Sequence, residues 1–259
     1  MRSVSAYAIK SRRIVLKGMD VLEIFYESLK DENFEIQNGD VVVISSKITS
    51  MEEERVVDLS TVEISDDALK YASKTNLDPA VVELILTESI GEVIGNVNKS
   101  LLVRTKYGIF SNAGVDTSNV PKGKALLLPE DCNLSAKRYH ERISSHFDFE
   151  IPVIIADTKS IPLRWGSMGV SLGYSGLKPL LDYRGQKDLF GNTIKFSMRG
   201  IADNIATIGT VAMGEIAEQT PFAVIRGVEF ERSEEQKTQL DLEPEHCLYF
   251  GPFLKSLSE

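Results

Sequence analysis

Several segments of the chain carry apolar residues at the 3.6-residue spacing of an amphipathic helix. The first contains Asp20, a residue type that caps helix starts. The second opens with Asp78 and Pro79, a cap followed by a proline at the first helical position. The spacing predicts helices at residues 15–29, 79–95, 134–147 and 201–213.

Short continuous apolar runs, some of them next to turn residues, are typical of buried strands. They predict strands at residues 41–44, 101–105, 124–128, 152–156 and 222–225. Strands and helices alternate without regular βαβ spacing, which favours an α+β fold with mixed or antiparallel sheets. We expect one unit over residues 1–259, with a weakly marked division into two subdomains near residues 130–148.

Two segments of the second half differ in composition from the rest. Residues 164–200 are rich in glycine, and residues 232–245 are highly charged. We expect the charged segment to form a solvated loop or an exposed helix.

Composition excludes several classes of protein. The formal net charge of -9 and pI of about 5.0 argue against a general nucleic-acid binder, which would carry a basic surplus. No apolar run approaches the roughly 18 residues of a membrane span. Cys132 and Cys247 have neither CxxC spacing nor histidine partners, so we expect a reducing, cytoplasmic setting.

The first candidate site is the segment from Ser111 to Asn119, which follows a predicted strand ending at Phe110. Small polar residues around a glycine place backbone amides and side-chain oxygens close together. Asp116 supplies a hard oxygen ligand suited to Mg²⁺ or Mn²⁺, and Asn119 can hold a base, a ribose or a phosphate. An ordinary polar turn is an equally good interpretation of this motif alone.

Two further acidic segments lie at the ends of predicted elements. Asp157 and Thr158 directly follow a predicted strand, where functional loops often begin. Glu215 follows the predicted alanine-rich helix and can complete a carboxylate cluster with Asp116 and Asp157. Taken singly, a strand-terminating turn and a helix end with a surface glutamate explain these residues better.

The fourth segment runs from Asp182 to Gly191 and combines charges with glycines and aromatics. Arg184 and Lys187 can bind an anionic substrate such as a phosphodiester or a carboxylate. A salt-bridged hairpin that fixes the fold is the alternative. No GxxxxGK[ST] motif is present, so a nucleotide would have to be bound through metals and an unusual loop scaffold.

In this order, the four segments resemble the coenzyme F-420-0:L-glutamate ligase family. The resemblance runs from about Asp20 to Gly227 and rests on the motifs SNAGVD, ADT, DYRGQKDLFG and MGE, with GDVVV and VVDL before them and LPED between the first two. Each motif alone is weak, but four in register are specific.

The resemblance implies a ligase that adds L-glutamate to the coenzyme F-420 precursor with GTP or ATP and Mg²⁺ or Mn²⁺, two ions being expected. An acyl phosphate on the acceptor would be attacked by the glutamate amine. The resemblance also implies a two-part α+β protomer in an intertwined homodimer, without the C-terminal flavin-type domain of fused relatives. Small molecules are the expected partners, with no nucleic acid and no membrane.

The resemblance also assigns residues. The metal ligands it implies are Asp116, Asp157, Thr158 and Glu215. The nucleotide contacts it implies are Ser46, Asn119 and the loop from Met213 to Thr220, which includes Gly214, Glu215 and Gln219.

Two positions depart from the family pattern. Met51 stands where relatives commonly carry a lysine that contacts nucleotide phosphate, and Lys47 is the expected replacement for that charge. Arg12 and Arg13 replace an N-terminal Gly-x-Pro loop and can also supply positive charge. These departures keep two alternatives open, a folate glutamate ligase of the same family and a metal- or nucleotide-binding relative without turnover.

Overall fold

The computed structural model describes residues 2–233, 240 and 242–252. Its helices are α1 (Val21–Asp31), α2 (Ser46–Glu52), α3 (Asp66–Thr75), α4 (Pro79–Glu88), α5 (Cys132–Phe147) and α6 (Ile201–Met213). Its strands are β1 (Ser5–Ile9), β2 (Val41–Ser45), β3 (Val56–Asp58), β4 (Gly95–Val97), β5 (Ser100–Thr105), β6 (Gly108–Ser111), β7 (Lys124–Leu126), β8 (Val153–Ser160), β9 (Ser167–Leu177), β10 (Leu180–Asp182), β11 (Met198–Gly200), β12 (Phe222–Arg226) and β13 (Arg232–Ser233).

A six-stranded mixed sheet forms the centre, in the order β1-β12-β2-β8-β9-β13. Strands β2 and β8 are parallel, and the other neighbours are antiparallel. In the parallel pair Ser45 lies opposite Ala156, so the residues after each lie side by side. A β-bulge in β9 leaves Leu172 without a partner residue and shifts the register with β8 between Ile155 and Ala156.

Helices cover both faces of this sheet. Alternate residues of β2 point to opposite sides, Val42 and Ile44 into a core with α1 and α5, and Val41 and Val43 into a core with α6. The glycines of β9 allow this close packing. A Cβ on Gly169 would lie 2.1 Å from Thr210 Oγ1 of α6, and one on Gly173 would lie 2.2 Å from the backbone of Cys132.

Residues 55–128, here called the insertion, lie between α2 and α5. They contain α3, α4, the two-stranded β3–β7 sheet and the three-stranded β4-β5-β6 sheet, with apolar clusters of their own. Arg55 fixes both ends of the insertion: its Nε donates to the Leu128 carbonyl at 3.0 Å, and its guanidinium pairs with Glu88 at 2.8 Å. This pair is partly buried, which strengthens it relative to an ion pair on the surface.

The architecture confirms the predicted α+β class with mixed sheets, and helix α6 has the predicted bounds. Helix α1 starts at Val21 rather than Val15, because the Asp20 side chain caps it by accepting from the Leu22 and Glu23 amides. Helix α4 ends at Glu88, short of Gly95, which begins β4 instead.

The subdomain division stays a prediction; helix α5, which spans most of the expected boundary, runs unbroken and packs on the central sheet. Of the charged segment at 232–245, residues 234–239 and 241 lie outside the described part of the chain. No helix in that part is both long and apolar enough to span a membrane.

Candidate functional site

The centre of the site is the junction of β2, α2 and β8. Strand β2 passes directly into α2, so Ser46 begins the helix beside Asp157 of β8. The Ser46 hydroxyl donates to Asp157 Oδ2 at 2.5 Å, and the Thr158 amide donates to Asp157 Oδ1 at 2.6 Å. Both oxygens of this carboxylate are therefore oriented. Asp157 and Thr158 lie within β8 after the bulge, not in a turn that follows the strand as the sequence indicated.

The environment of Asp157 favours its neutral form. Burial raises the pKa of Asp157 above its ordinary value, and the nearby charge of Asp116 acts in the same direction. The hydrogen bonds from Ser46 and Thr158 and the charge of Lys47 oppose this shift. An added cation would favour the ionised form, so the carboxylate is suited to binding one.

Asp116 comes from the insertion and meets Lys47 of α2. Its backbone pairs with Leu126 in both directions, at 2.9 and 2.8 Å, which fixes the loop after the 3-10 turn Asn112–Gly114. The Asp116 carboxylate accepts from Lys47 Nζ at 2.6 Å and from the Ser118 amide at 2.6 Å. Partial burial favours the neutral acid, but these bonds outweigh it and lower the pKa of Asp116.

A second contact joins the insertion to the loop after α6. The Asn119 side chain donates to the Ile216 carbonyl at 2.8 Å. At the ends of that loop, Thr220 Oγ1 donates to the Met213 carbonyl, and the Ser11 amide donates to the Gln219 carbonyl at 2.8 Å. The predicted nucleotide residues Asn119, Met213, Gln219 and Thr220 thus belong to one connected loop pair.

Glu218 organises this loop, and sequence analysis missed it. Its carboxylate accepts from the Ile216 amide at 2.8 Å, and the backbone amides of Glu218 itself, Ile216 and Ala217 together lower its pKa. Gly214 makes room for it, because a Cβ there would lie 2.5 Å from Glu218 Cδ and its φ of +75° disfavours other residues. The sequence sign of this role is an acidic residue shortly after the MGE motif. No sequence rule shows that its carboxylate accepts from three consecutive backbone amides.

The donor set fits one hard divalent ion. Asp116 lies close enough to Asp157 to affect its charge, and the hydroxyl oxygens of Ser46 and Ser118 lie beside them, the ligand type that Mg²⁺ and Mn²⁺ prefer. Within the described ranges, no group of three or more His, Cys, Asp or Glu side chains is placed to hold a metal. The expected cluster with Glu215 is therefore not assembled in this chain. Glu215 is exposed and accepts from Ser167 Oγ at 3.2 Å, and its role as a ligand stays a prediction.

Comparison with known proteins decides the family. The protein-family model described as F420-0:Gamma-glutamyl ligase matches residues 10–227 of this chain. The chain belongs to this family.

The sequences of individual relatives are similar to this chain over most of its length and of their own. The chain is 33% identical over 225 residues to the coenzyme F420:L-glutamate ligase of Methanothermobacter thermautotrophicus, covering 86% of this chain and 89% of the relative. It is 36% identical to that of Methanopyrus kandleri over 226 residues, 86% and 87% of the two chains. It is 31% identical over 240 residues to the coenzyme F420:L-glutamate ligase of Methanosarcina acetivorans, covering 93% of this chain and 92% of the relative. The predicted family and the prediction of an amide-forming ligase are confirmed.

In this member of the F420-0:gamma-glutamyl ligase family, the segment DYRGQKDLFG forms a hairpin with its own ion pair, which is the structural alternative given by the sequence. Strands β10 and β11 pair, and Arg184 bonds Asp182 through Nε at 2.9 Å and through its terminal nitrogen at 2.5 Å. This pairing lowers the pKa of Asp182 to about 2. Lys187 donates to Thr193 Oγ1 at 2.7 Å across the hairpin. Both basic residues are exposed, and their part in substrate binding stays a prediction.

The two departures from the family pattern have different structural settings. Met51 is buried in the main core, so this position faces apolar neighbours and carries no charge to the site. Lys47, one turn earlier in α2, does reach the site through Asp116. Arg12 and Arg13 pair with Asp31 at 3.3 Å and Glu27 at 3.0 Å. They follow Ser11, which bonds the loop after α6, and their contact with nucleotide stays a prediction.

Proposed function

We propose that this family member joins L-glutamate to a carboxylate of the coenzyme F420 precursor, with GTP or ATP as the energy source. The observation that carries the proposal is the meeting of Asp116, Asp157 and Lys47 at one point of the fold. Oxygen ligands for a divalent ion beside a lysine ammonium are the arrangement that nucleotide phosphates require. The relatives named coenzyme F420:L-glutamate ligase support the acceptor and the amine.

Each residue of the site has a defined task in this proposal. Asp116 and Asp157 would hold Mg²⁺ or Mn²⁺, which supplies charge neutralisation for a transferring phosphoryl group. Ser46 and the Thr158 amide orient the Asp157 oxygens. The connected loops of Asn119 and of residues 213–220 bind the nucleotide. These contacts hold the nucleotide, the acceptor and glutamate together, which removes much of the entropic barrier to reaction.

Arg184 and Lys187 are proposed to bind the anionic acceptor. Both are exposed on a hairpin, and Arg184 uses only two of its nitrogens for Asp182. A guanidinium that is already oriented by a carboxylate loses little freedom when a phosphodiester or carboxylate arrives.

A homodimer is proposed on the basis of exposed apolar side chains in the glycine-rich half. Leu163, Trp165 and Leu189 are fully exposed, and Phe190 and Phe196 are nearly so. Large apolar side chains exposed together on monomeric proteins are rare and mark interaction surfaces. Both cysteines are free thiols, in keeping with the proposed cytoplasmic setting.

The test is release of inorganic phosphate from GTP or ATP with Mn²⁺ and L-glutamate, comparing the deazaflavin precursor of F420 with a reduced folate. The expected result is release that needs the deazaflavin acceptor and glutamate together, with mass spectrometry showing one or more added glutamates. Release with folate alone would reassign the acceptor. No release with either acceptor, despite measurable Mn²⁺ binding, would support a binding protein without turnover.

A further inference from the structure

We infer that Lys47 is a displaceable internal cation, which occupies the Asp116 carboxylate until a divalent ion replaces it and is thereby released toward the anionic substrates. The inference rests on the proposed function for the identity of those substrates. The displacement itself concerns only this chain and the ion.

Lys47 pairs with Asp116, a carboxylate that joins the insertion to the site. Its Nζ lies 2.6 Å from Asp116 Oδ2 and 3.4 Å from Ser118 Oγ, and the Ser118 amide occupies Asp116 Oδ1. Both oxygens of Asp116 are therefore engaged. Of these two partners only the lysine carries a charge, so it is the one that a divalent ion replaces on electrostatic grounds.

Lys47 also acts on both carboxylates of the site rather than on Asp116 alone. Its charge stabilises the ionised form of Asp157 as well as that of Asp116, while the two carboxylates disfavour each other. A divalent cation held by both carboxylates would also stabilise their ionised forms, with twice the charge of the lysine. Lys47 and a divalent ion would therefore compete for the same position beside the two carboxylates.

The lysine can leave without unfolding its surroundings. Its backbone is fixed in α2, but its side chain is 29% exposed and its four-carbon stem is flexible. A released ammonium stays within one side-chain length of the site. The neighbouring residue of α2 toward the core, Met51, carries no charge that could do this instead.

The experiment measures Mn²⁺ binding by isothermal titration calorimetry, with no nucleotide, acceptor or glutamate present. Lys47→Met removes the competing charge and should bind Mn²⁺ about three- to tenfold more tightly than the wild type, because partly exposed ion pairs are modest in strength. Lys47→Arg keeps the cation and should not bind more tightly. Lys17→Met, which removes an exposed lysine paired with Glu54, controls for the change in net charge.

A second titration, with GTP in the presence of saturating Mn²⁺, tests the released state. Lys47→Met should bind GTP more weakly than the wild type while binding Mn²⁺ more tightly, a combination that general damage to the site would not produce. Unchanged or weaker Mn²⁺ binding in Lys47→Met, with a wild-type unfolding temperature, would overturn the inference. Both titrations measure binding and need no turnover. The displacement of Lys47 can therefore be confirmed even if no acceptor supports phosphate release. It can also be refuted when phosphate release is observed.

Discussion

Ser46 Oγ donates a 2.5 Å hydrogen bond to Asp157 Oδ2, joining the first residue of α2 to a residue of β8 that is 111 positions away. Parallel pairing of β2 and β8 makes this contact possible, because the bond lies one residue beyond the Ser45–Ala156 pair. The site is thus built at the centre of the sheet, and the insertion and the loop after α6 supply its other residues.

Asp157→Asn should abolish glutamate-dependent phosphate release and leave the fold intact. The amide keeps the size and one acceptor oxygen but loses the charge that a metal needs, so we expect at least the roughly 100-fold loss typical when a metal site is disturbed. Thermal unfolding should change little, because burial already penalises the ionised acid. Asp58→Asn, at an exposed aspartate that bonds Ser60, is the matched control. Full activity of Asp157→Asn would remove this residue from the metal site.

Glu218→Gln should raise the KM for nucleotide severalfold with little change in secondary structure. The carboxylate holds the loop after α6 through three backbone amides, and a neutral amide side chain accepts such bonds more weakly. Steady-state kinetics with varied GTP measures the effect. Glu229→Gln, at a surface glutamate that pairs with Arg2, provides the comparison. An unchanged KM would show that the loop keeps its shape without this carboxylate.

Asp20→Ala should lower the free energy of unfolding by about 1 kcal/mol at pH 7, the usual cost of losing a helix cap. Burial alone would raise the pKa of Asp20, but the bonds from Arg142 and from the Glu23 and Leu22 amides lower it below its ordinary value of 3.8. The stabilisation is therefore fully present above pH 3.8 and is lost as the pH falls through the folded-state pKa.

Urea unfolding at pH 7 and near pH 3 measures this difference. Asp20→Asn keeps a cap acceptor but loses the charge that faces Arg142 at 2.7 Å, so it should be intermediate at pH 7 and show less pH dependence than the wild type. A destabilisation by Asp20→Ala that is equally large at both pH values would contradict the assigned pKa direction.

Local signals predicted a large part of the fold. The caps Asp20 and Asp78 have the expected roles, since each accepts from amides of the helix that follows. The apolar runs of β2 and β8 are the parallel pair at the centre of the sheet. These elements were predictable because their stability depends on periodicity and on bonds between residues that are close in sequence.

The rest depends on tertiary contacts that leave no local pattern. Helix α2 is short and mostly buried, so it shows no polar face to reveal its period. Strand β9 is rich in glycine because α5 and α6 approach its backbone from opposite sides. In the site, Lys47 of α2 pairs with Asp116 of the insertion. The sequence around either residue gives no sign that the other is its partner.

The site is divided between two layers of the chain, with Asp116 in the insertion and Asp157 in the central sheet. Whenever the insertion opens locally, the two carboxylates separate and the site ceases to exist. A ligand that bound both carboxylates would bridge the two layers and would therefore stabilise the insertion against such opening. For such a ligand, tighter binding and greater local stability of the insertion would go together.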